Sequence, residues 1–490
     1  MNKRRAHGLA VTLTALAYAT SGHAAVVNQW VQFAPNDTVL IRAIEDTPSK
    51  GCPAATLDGA PLALSPRGTV TTPAAAPTAY YPILMCESAP VAAFGHASAS
   101  VAGVALKMPV TNPRRILVIG DTGCRVTAAT SGTQACNDPA QFPLQFLSNY
   151  AATFQPDLIV HVGDFFYREQ PCPTGFSGCA GNPAFDNWDS WYADWFGPAR
   201  NLIAAAPLAL TRGNHESCNR GARGWFRLLD VHAYDQNAVD CTGPFTPPAG
   251  APGAKGPLTA YDYTPPYVVN AGQVSLLMFD SSDSNTTAPD TTTVSADPGP
   301  TKGLTIPQIY SQQLQAVLPT LASSSVLFVT HKASYDIRAT PGPAGSLLGG
   351  DATQQSVFGS LAGGGVPTPI KLIVSGHDHQ FQVVNFADAS FAPQLVVGNS
   401  GTLLDNNSGT QPQTFTPDAQ PGNFGAAYSL PGIAPTATTI IQTVNDRSEY
   451  GFTVLDAISG GYVANVYNTS SGKLARCVMR LNPRAMSCVQ

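Results

Sequence analysis

The sequence has few charged residues, no long apolar segment and no Cys-x-x-Cys pair, and each of these absences argues against one class of protein or site. Charged residues make up only 12% of the chain and form no basic tract, which argues against nucleic acid as an obligate partner. No segment offers about 18 uninterrupted apolar residues, so the sequence predicts no transmembrane anchor. No Cys-x-x-Cys pair occurs among the ten cysteines, and this disfavours a structural zinc bound by thiolates.

The first 24 residues have the pattern of a secretory signal peptide. Lys3, Arg4 and Arg5 precede a short apolar run, and a small-x-small cleavage site ends at Ala24. Removing these three cations changes the net charge from −5 to −8. The pattern predicts a periplasmic or secreted protein, with a retained anchor helix as the alternative.

The cysteines support export, because an even number in a secreted chain implies disulfides. Ten cysteines allow many connectivities, and pairing between sequence neighbours is the simplest expectation. The expected pairs are Cys52/Cys86, Cys124/Cys136, Cys172/Cys179, Cys218/Cys241 and Cys477/Cys488.

The chain divides into two parts at Asn112–Arg115. Residues 25–112 contain short apolar runs between Pro-, Gly- and Ala-rich turns, which predicts a small β-rich domain. In residues 113–490, buried-strand runs alternate with helical patterns, which is typical of an α/β catalytic domain, and a C-terminal β extension follows. Strands are predicted at 38–43, 80–84, 100–106, 116–119, 158–162, 207–210, 274–279, 326–330, 370–375, 394–397, 451–455 and 462–467, and helices at 142–154, 188–196, 307–322 and 351–361.

Five motifs follow apolar runs of strand length. They read Gly120-Asp121-Thr122-Gly123, Gly163-Asp164-Phe165-Phe166-Tyr167, Gly213-Asn214-His215-Glu216, Val329-Thr330-His331 and Gly376-His377-Asp378-His379. Carboxylate, amide and phenol oxygens mixed with imidazoles suit a pair of hard or borderline cations. Two ions about 3.5–4 Å apart are typical of displacement at a phosphoryl group. Singly, each motif has a plainer reading, such as a helix cap for an Asp or a buried aromatic for Tyr167.

Taken together, the motifs resemble those of the calcineurin-like metallophosphoesterases. Most of that superfamily opens with Asp-x-His, whereas this chain has Gly123 in place of the His and Tyr167 three residues after Asp164. This variant resembles the purple (tartrate-resistant-type) acid phosphatases, and the resemblance covers about residues 114–480. It implies a four-layer αββα sandwich, here carrying the N-terminal β domain.

The resemblance also implies roles for the motif residues. An Fe(III) position would take Asp121, Asp164, Tyr167 and His379, and a divalent position (Fe, Zn or Mn) would share Asp164 and add Asn214, His331 and His377. His215 would bind no metal and would donate a proton to the leaving group. Glu216 is expected to orient a histidine, and His161 to be a buried strand residue.

The implied activity is hydrolysis of phosphomonoesters by metal-activated hydroxide, with an acidic pH optimum and a small phosphate ester or phosphorylated substrate. Arg220, Arg223 and Lys332 are candidates to bind phosphate oxygens, although a solvated surface charge is the commoner role of such residues. Arg168-Glu169 and the Cys172/Cys179 loop depart from the family pattern. A phosphodiesterase on the same scaffold and a catalytically silent binding module remain alternatives.

Overall fold

The computed structural model describes residues 26–67, 81–234, 263–293, 302–337, 348–405, 440–446 and 449–489, apart from single positions at 219, 287, 290, 292, 322, 324, 364 and 387. The predicted signal segment lies outside these residues. Among the residues that are described, no helix combines the length and apolarity needed to cross a membrane.

The described strands, in chain order, are β1 Val26–Ala34, β2 Thr38–Glu45, β3 Ala55–Leu57, β4 Ala60–Leu62, β5 Leu64–Pro66, β6 Leu84–Ser88, β7 Val91–Ala92, β8 Ala99–Val101, β9 Val104–Leu106, β10 Arg115–Ile119, β11 Leu158–His161, β12 Leu208–Leu210, β13 Tyr267–Ala271, β14 Val274–Phe279, β15 Val326–Thr330, β16 Asp336–Ile337, β17 Leu348–Gly349, β18 Ile370–Ser375, β19 Phe381–Phe386, β20 Gln394–Val397, β21 Ile440–Asp446, β22 Gly451–Ile458, β23 Gly461–Asn468, β24 Lys473–Leu481 and β25 Arg484–Val489. The described α-helices are α1 Leu144–Ala152, α2 Trp188–Trp191, α3 Arg200–Ile203, α4 Ala222–Gly224, α5 Ile306–Val317 and α6 Ala352–Ala362. Single π-helical turns extend α2 at Tyr192–Phe196 and α4 at Trp225–Leu229, and 3-10 turns lie at Pro48–Lys50, Ser177–Cys179, Asn214–Glu216 and Leu318–Thr320.

Two large sheets contain most of these strands. The first has the order β25-β24-β23-β22-β10-β11-β12-β1-β2-β6-β5, with β7 beside β2, and the second has the order β13-β14-β15-β18-β20-β19-β21. The strands that precede the motifs are parallel to their neighbours: β10, β11 and β12 in the first sheet, and β15 and β18 in the second, where β14 and β20 run parallel on either side of them. Their carboxyl ends therefore meet at one edge of each sheet, where ligand sites of α/β proteins form.

Three buried clusters separate four layers. In β10, Ile116 and Val118 point into the cluster between the sheets, while Leu117 and Ile119 point to the cluster beneath α1 and α3, as the two-residue period of a strand requires. A third cluster packs β14, β15 and β18 against α5 and α6. The order helix, sheet, sheet, helix confirms the predicted αββα sandwich.

The N-terminal strands extend the first sheet. Gln32 of β1 pairs in parallel with Leu208 of β12, and the buried Arg42 of β2 donates to the Gln32 side chain at 2.8 Å and to the carbonyl of Asp230 at 2.7 Å. The run 100–106, expected as one strand, is a hairpin of β8 and β9. Its turn residues Ala102 and Gly103 both have positive φ, at 50° and 80°, as a two-residue hairpin turn demands.

Four of the five expected disulfides lie within the described residues and are confirmed: Cys52–Cys86, Cys124–Cys136, Cys172–Cys179 and Cys477–Cys488. Cys218 is also disulfide-bonded. Its expected partner, Cys241, lies outside the described residues. The second and third bridges stiffen the loops that follow β10 and β11, next to the motif residues.

Candidate metal centre

The five motifs meet where the two sheets end. Asp121, Asp164 and Asn214 follow β10, β11 and β12 of the first sheet. From the second sheet, His331 comes directly after β15, and His377 and His379 follow β18. The structure thus brings all seven predicted ligands together, with Tyr167 between the two sets.

One group of side chains surrounds the hydroxyl of Tyr167. Its oxygen lies 3.1 Å from Asp121 Oδ1, 2.8 Å from Asp164 Oδ2 and 2.9 Å from His379 Nε2. The Nδ1 of His379 donates to the carbonyl of Leu403 at 2.9 Å, which leaves Nε2 facing the carboxylates. These are the four residues expected at the first metal position.

A second group surrounds His331. Its Nδ1 donates to the carbonyl of Val162 at 2.9 Å, and its Nε2 lies 3.0 Å from Asn214 Oδ1 and 3.1 Å from Asp164 Oδ2. Ligand atoms of Asp164, His331 and His377 lie within 4.8 Å of one another. Since Asp164 Oδ2 also contacts Tyr167, this carboxylate is the one shared by both groups.

The backbone at the motifs is unusual. Asp121, Asp164 and His377 have φ values of 53°, 59° and 72°, in the left-handed region that non-glycine residues rarely adopt. Such conformations cost about 1–3 kcal/mol each and persist where the surroundings fix them. Here the main-chain N–H of His377 donates to both carboxylate oxygens of Asp121, at 3.2 and 3.0 Å.

Glu216 is one of the groups that fixes these loops. Its buried carboxylate accepts the main-chain N–H groups of Asp164, Phe165 and Phe166 at 2.8–3.0 Å, and that of Gly213 at 2.9 Å. The expectation that Glu216 orients a histidine is therefore wrong. It ties the second motif to the third through the backbone.

The electrostatics of the cluster suit cations. Burial and the neighbouring Asp164 raise the pKa of Asp121 well above its usual value. Burial opposes ionisation of Asp164 as well, but the imidazoles of His331 and His215 hold its pKa well below the usual value. Within the described part of the chain neither carboxylate pairs with a lysine or arginine. Buried oxygens without a cationic side chain, facing imidazole Nε2 atoms, form a donor set that fits two metal ions.

His215 lies beside this cluster and is oriented by a residue that sequence analysis did not assign. Its ring centroid lies 3.8 Å from that of Tyr167, and its Nε2 lies 3.9 Å from Asp164 Oδ2. Its Nδ1 lies 2.5 Å from Oε1 of Glu169. Burial and then the charge of Arg220 lower the pKa of His215, while Glu169 opposes that shift. The available signal for Glu169 was its position two residues after Tyr167, since an extended backbone there would put both side chains on one side.

The other sequence expectations also have clear outcomes. His161 is fully buried in β11, as expected, and its ring contacts Thr122 Oγ1 at 3.0 Å. Arg168 pairs with the buried Asp194 at 2.7 Å. Asp194 in turn accepts the main-chain N–H of Tyr167 at 2.8 Å. Arg168, which departs from the family pattern, therefore helps to hold the loop that carries Tyr167.

Known proteins were compared with the chain. A family model described as calcineurin-like phosphoesterase matches residues 114–381, more than half of the sequence. The chain belongs to this family. It is accordingly a metal-dependent hydrolase of phosphoric esters, with its metal-ligand candidates at the sheet edges described above.

Solved structures that match the chain include two phosphatases and one further protein. Purple acid phosphatase PPD1 from yellow lupin (Lupinus luteus) seeds is 12% identical, with a TM-score of 0.47 over 92% of this chain and 73% of that one. PhoD is 10% identical, with a TM-score of 0.49 over 95% and 92%. A dimetal phosphatase from Danio rerio is 11% identical, with a TM-score of 0.32 over 73% and 97%. No curated protein matches the chain significantly. Family membership rests on the matching model.

Proposed function

We propose that this phosphoesterase is an exported binuclear phosphatase that hydrolyses phosphomonoesters, with an acidic pH optimum. The observation that carries the proposal is the placement of His215. It contacts Tyr167 and Asp164 of the metal-ligand cluster and is held by Glu169, yet its ring belongs to neither ligand group. A histidine so placed serves as a proton donor to a departing alkoxide.

We assign Asp121, Asp164, Tyr167 and His379 to an Fe(III) position, and Asp164, Asn214, His331 and His377 to a position for a divalent ion (Fe, Zn or Mn). When bound, the pair would supply Lewis acidity and an activated water, and a ferric ion would favour activity at acidic pH. Burial, followed by the charges of Asp164 and Asp121, raises the pKa of Tyr167 well above its usual value. The support for iron at the first position is the donor set, in which a phenol oxygen and two carboxylates accompany one imidazole and so suit a hard cation.

The protein side chains would divide the remaining work. The Nδ1 of His215 lies against the Glu169 carboxylate, so Nε2 is the nitrogen assigned to transfer the proton. Glu216 and Asp194 keep the backbone of the second motif in place while substrate binds, since both accept main-chain N–H groups from it. This fixed arrangement needs little reorganisation during the reaction.

Export is supported by the disulfides, which persist in oxidising compartments. We propose that residues 1–24 are removed and that the mature chain begins at Ala25. Mass spectrometry of the protein recovered from the periplasm or medium tests this. Recovery of a cytoplasmic protein with an intact N-terminus and reduced thiols would contradict it.

Metal analysis combined with ester hydrolysis tests the activity. Purified protein should contain iron and a divalent metal, and should hydrolyse p-nitrophenyl phosphate faster than bis(p-nitrophenyl) phosphate. Protein carrying Asp164→Ala, purified in the same way, controls for contaminating phosphatases. Faster hydrolysis of the diester would make the enzyme a phosphodiesterase, and a metal-loaded protein without activity on either ester would indicate a binding module.

A further inference from the structure

The three cations proposed from sequence to bind phosphate have different surroundings. Lys332 is buried, and its Nζ donates to the carbonyls of Ser282 and Ser284 at 2.8 and 2.6 Å. Arg223 lies beside Asp186, to which its main-chain N–H donates at 2.8 Å. Only Arg220 of the three is placed against His215 and its partner Glu169.

A tight turn brings Arg220 back to His215. The main-chain N–H of Arg220 donates to the carbonyl of Ser217 at 2.8 Å, and that of Gly221 donates to the carbonyl of His215 at 2.9 Å. The Arg220 side chain is then about nine-tenths buried, with Nε 3.5 Å from Oε1 of Glu169. Glu169 therefore lies between this guanidinium and the imidazole of His215, whose ring contacts Tyr167.

One part of this guanidinium finds no partner among the residues that the structure describes. Its Nη1 is buried, and none of those residues accepts a hydrogen bond from it. A buried donor left in this way costs about 1–3 kcal/mol, and more when it is charged, and arginine cannot lose its proton to avoid the cost. Glu169 interacts with the Nε side of Arg220 and with His215, so it does not satisfy Nη1.

We propose that Arg220 Nη1 donates to a non-bridging phosphoryl oxygen of the substrate, and that this contact makes Arg220 a determinant of the preference for monoesters. The inference rests on the proposed phosphatase function. A phosphomonoester presents three non-bridging oxygens and up to two negative charges, whereas a diester presents two oxygens and one charge. The extra anionic oxygen suits the rigid donor fork of a guanidinium.

The test uses the metal-loaded, full-length mature protein with Arg220→Gln and Arg220→Lys substitutions. Arg200→Gln is a matched control, because Arg200 is exposed in α3 and has one long hydrogen bond, 3.5 Å to the carbonyl of Val26. Affinity for inorganic phosphate is measured by calorimetry, and kcat/KM is measured for p-nitrophenyl and bis(p-nitrophenyl) phosphate. Metal content is determined for every variant.

Arg220→Gln should weaken phosphate binding roughly ten- to a hundredfold, as expected for loss of a hydrogen bond to a charged group. It should lower kcat/KM for the monoester by a similar factor, and that for the diester much less. Arg220→Lys keeps the positive charge but loses the forked donors of the guanidinium, so its loss of affinity should be smaller. It also allows the proposal to be tested if the Arg220→Gln protein does not fold. Arg200→Gln should match wild type.

Unchanged phosphate affinity in both Arg220 variants would overturn the inference, even if the wild-type protein is a monoesterase. Equal losses on the two esters would also overturn it, since Arg220 would then act only through Glu169 and His215. A wild-type preference for diesters would instead refute the proposed monoesterase function. In that case, phosphate affinity that still falls in the Arg220 variants would show that Arg220 binds phosphate even though the enzyme prefers diesters.

Discussion

Replacing His215 by Asn separates proton donation from metal binding. The main-chain N–H of His215 donates to Asp164 Oδ1 at 2.8 Å, and its carbonyl accepts from Gly221 at 2.9 Å. Both contacts use the main chain of residue 215 and should survive in the variant. The substitution removes the imidazole ring that contacts Tyr167, and with it the nitrogen that lies 2.5 Å from Glu169. The substitution should therefore leave the fold and the ligand cluster intact.

The size of the effect depends on the leaving group. General acid catalysis is typically worth about 10²–10⁴ in rate, which corresponds to roughly 2.7–5.4 kcal/mol of activation free energy. An alkyl phosphate needs the proton because its alkoxide leaves poorly, so His215→Asn should cost this whole factor. Nitrophenolate leaves readily as an anion, and hydrolysis of nitrophenyl phosphate should fall by much less.

The assay compares kcat for the two substrates in wild type, His215→Asn and Glu169→Gln, with metal content measured alongside. Glu169→Gln keeps a hydrogen-bonding group beside His215 but loses its charge, so its loss should have the same substrate selectivity and a smaller size. Equal losses on both substrates, or loss of metal from His215→Asn, would refute the assignment of His215 as the proton donor.

Three further substitutions test other parts of the structure. Asp164→Ala should lower occupancy at both metal positions and abolish turnover, whereas Asn214→Ala should empty chiefly the second; near-normal metal content in Asp164→Ala would contradict the shared carboxylate. Oxidised wild-type protein should be pink to purple from a phenolate-to-iron transition, and Tyr167→Phe should bleach it without unfolding; a colourless, fully active wild type would rule out the ferric phenolate. Asp157 accepts a hydrogen bond from Lys107 Nζ at 2.9 Å. Burial opposes ionisation of the Asp157 carboxyl, but the hydrogen bond and charge of Lys107 lower its pKa. The stabilisation is therefore present above the unfolded pKa of about 4 and is lost as pH falls through the lowered folded value. Because this partly exposed pair is screened by solvent, Asp157→Asn should cost less than about 1 kcal/mol at pH 6 and almost nothing below the folded pKa in urea unfolding. A cost that is the same at both pH values would refute the linkage.

The core of the fold and the ligand cluster were predictable because both depend on local patterns. Short continuous apolar runs such as 116–119 and 326–330 are typical of strands buried on both faces, and in a parallel sheet the carboxyl ends of neighbouring strands lie at one edge. Within each sheet that rule brings Asp121, Asp164 and Asn214 together at one edge, and His331 and His377 together at the other. Joining the two sets depends on the packing of the two sheets, which the rule does not specify. The four-layer order followed from the family resemblance, and the alternating burial of 116–119 explains it physically.

The features that sequence did not predict depend on long-range packing. The parallel pairing of β1 with β12 brings an N-terminal strand into the sheet of the catalytic segment, and no periodicity of either strand specifies its neighbour. Glu169 was noted only as a departure from the family pattern, because its role depends on how the turn at 214–221 places His215. The same holds for Glu216, whose four hydrogen bonds go to backbone groups that any sequence would supply.

Packing also explains why the first motif has Gly123 where most of the superfamily has His. A Cβ at position 123 would lie 2.9 Å from Cδ2 of Tyr167, 2.8 Å from the carbonyl oxygen of Phe165 and 2.9 Å from Asp194 Oδ2. Real Cβ atoms essentially never approach neighbours so closely, so the Tyr167 ring occupies the space that any side chain at 123 would need. Since Asp194 and the Phe165 carbonyl are fixed by the same loops, the space cannot be recovered by a small shift of the ring. A histidine at 123 and a tyrosine at 167 are therefore alternative ways to supply one donor to the first group, and this backbone admits only the tyrosine.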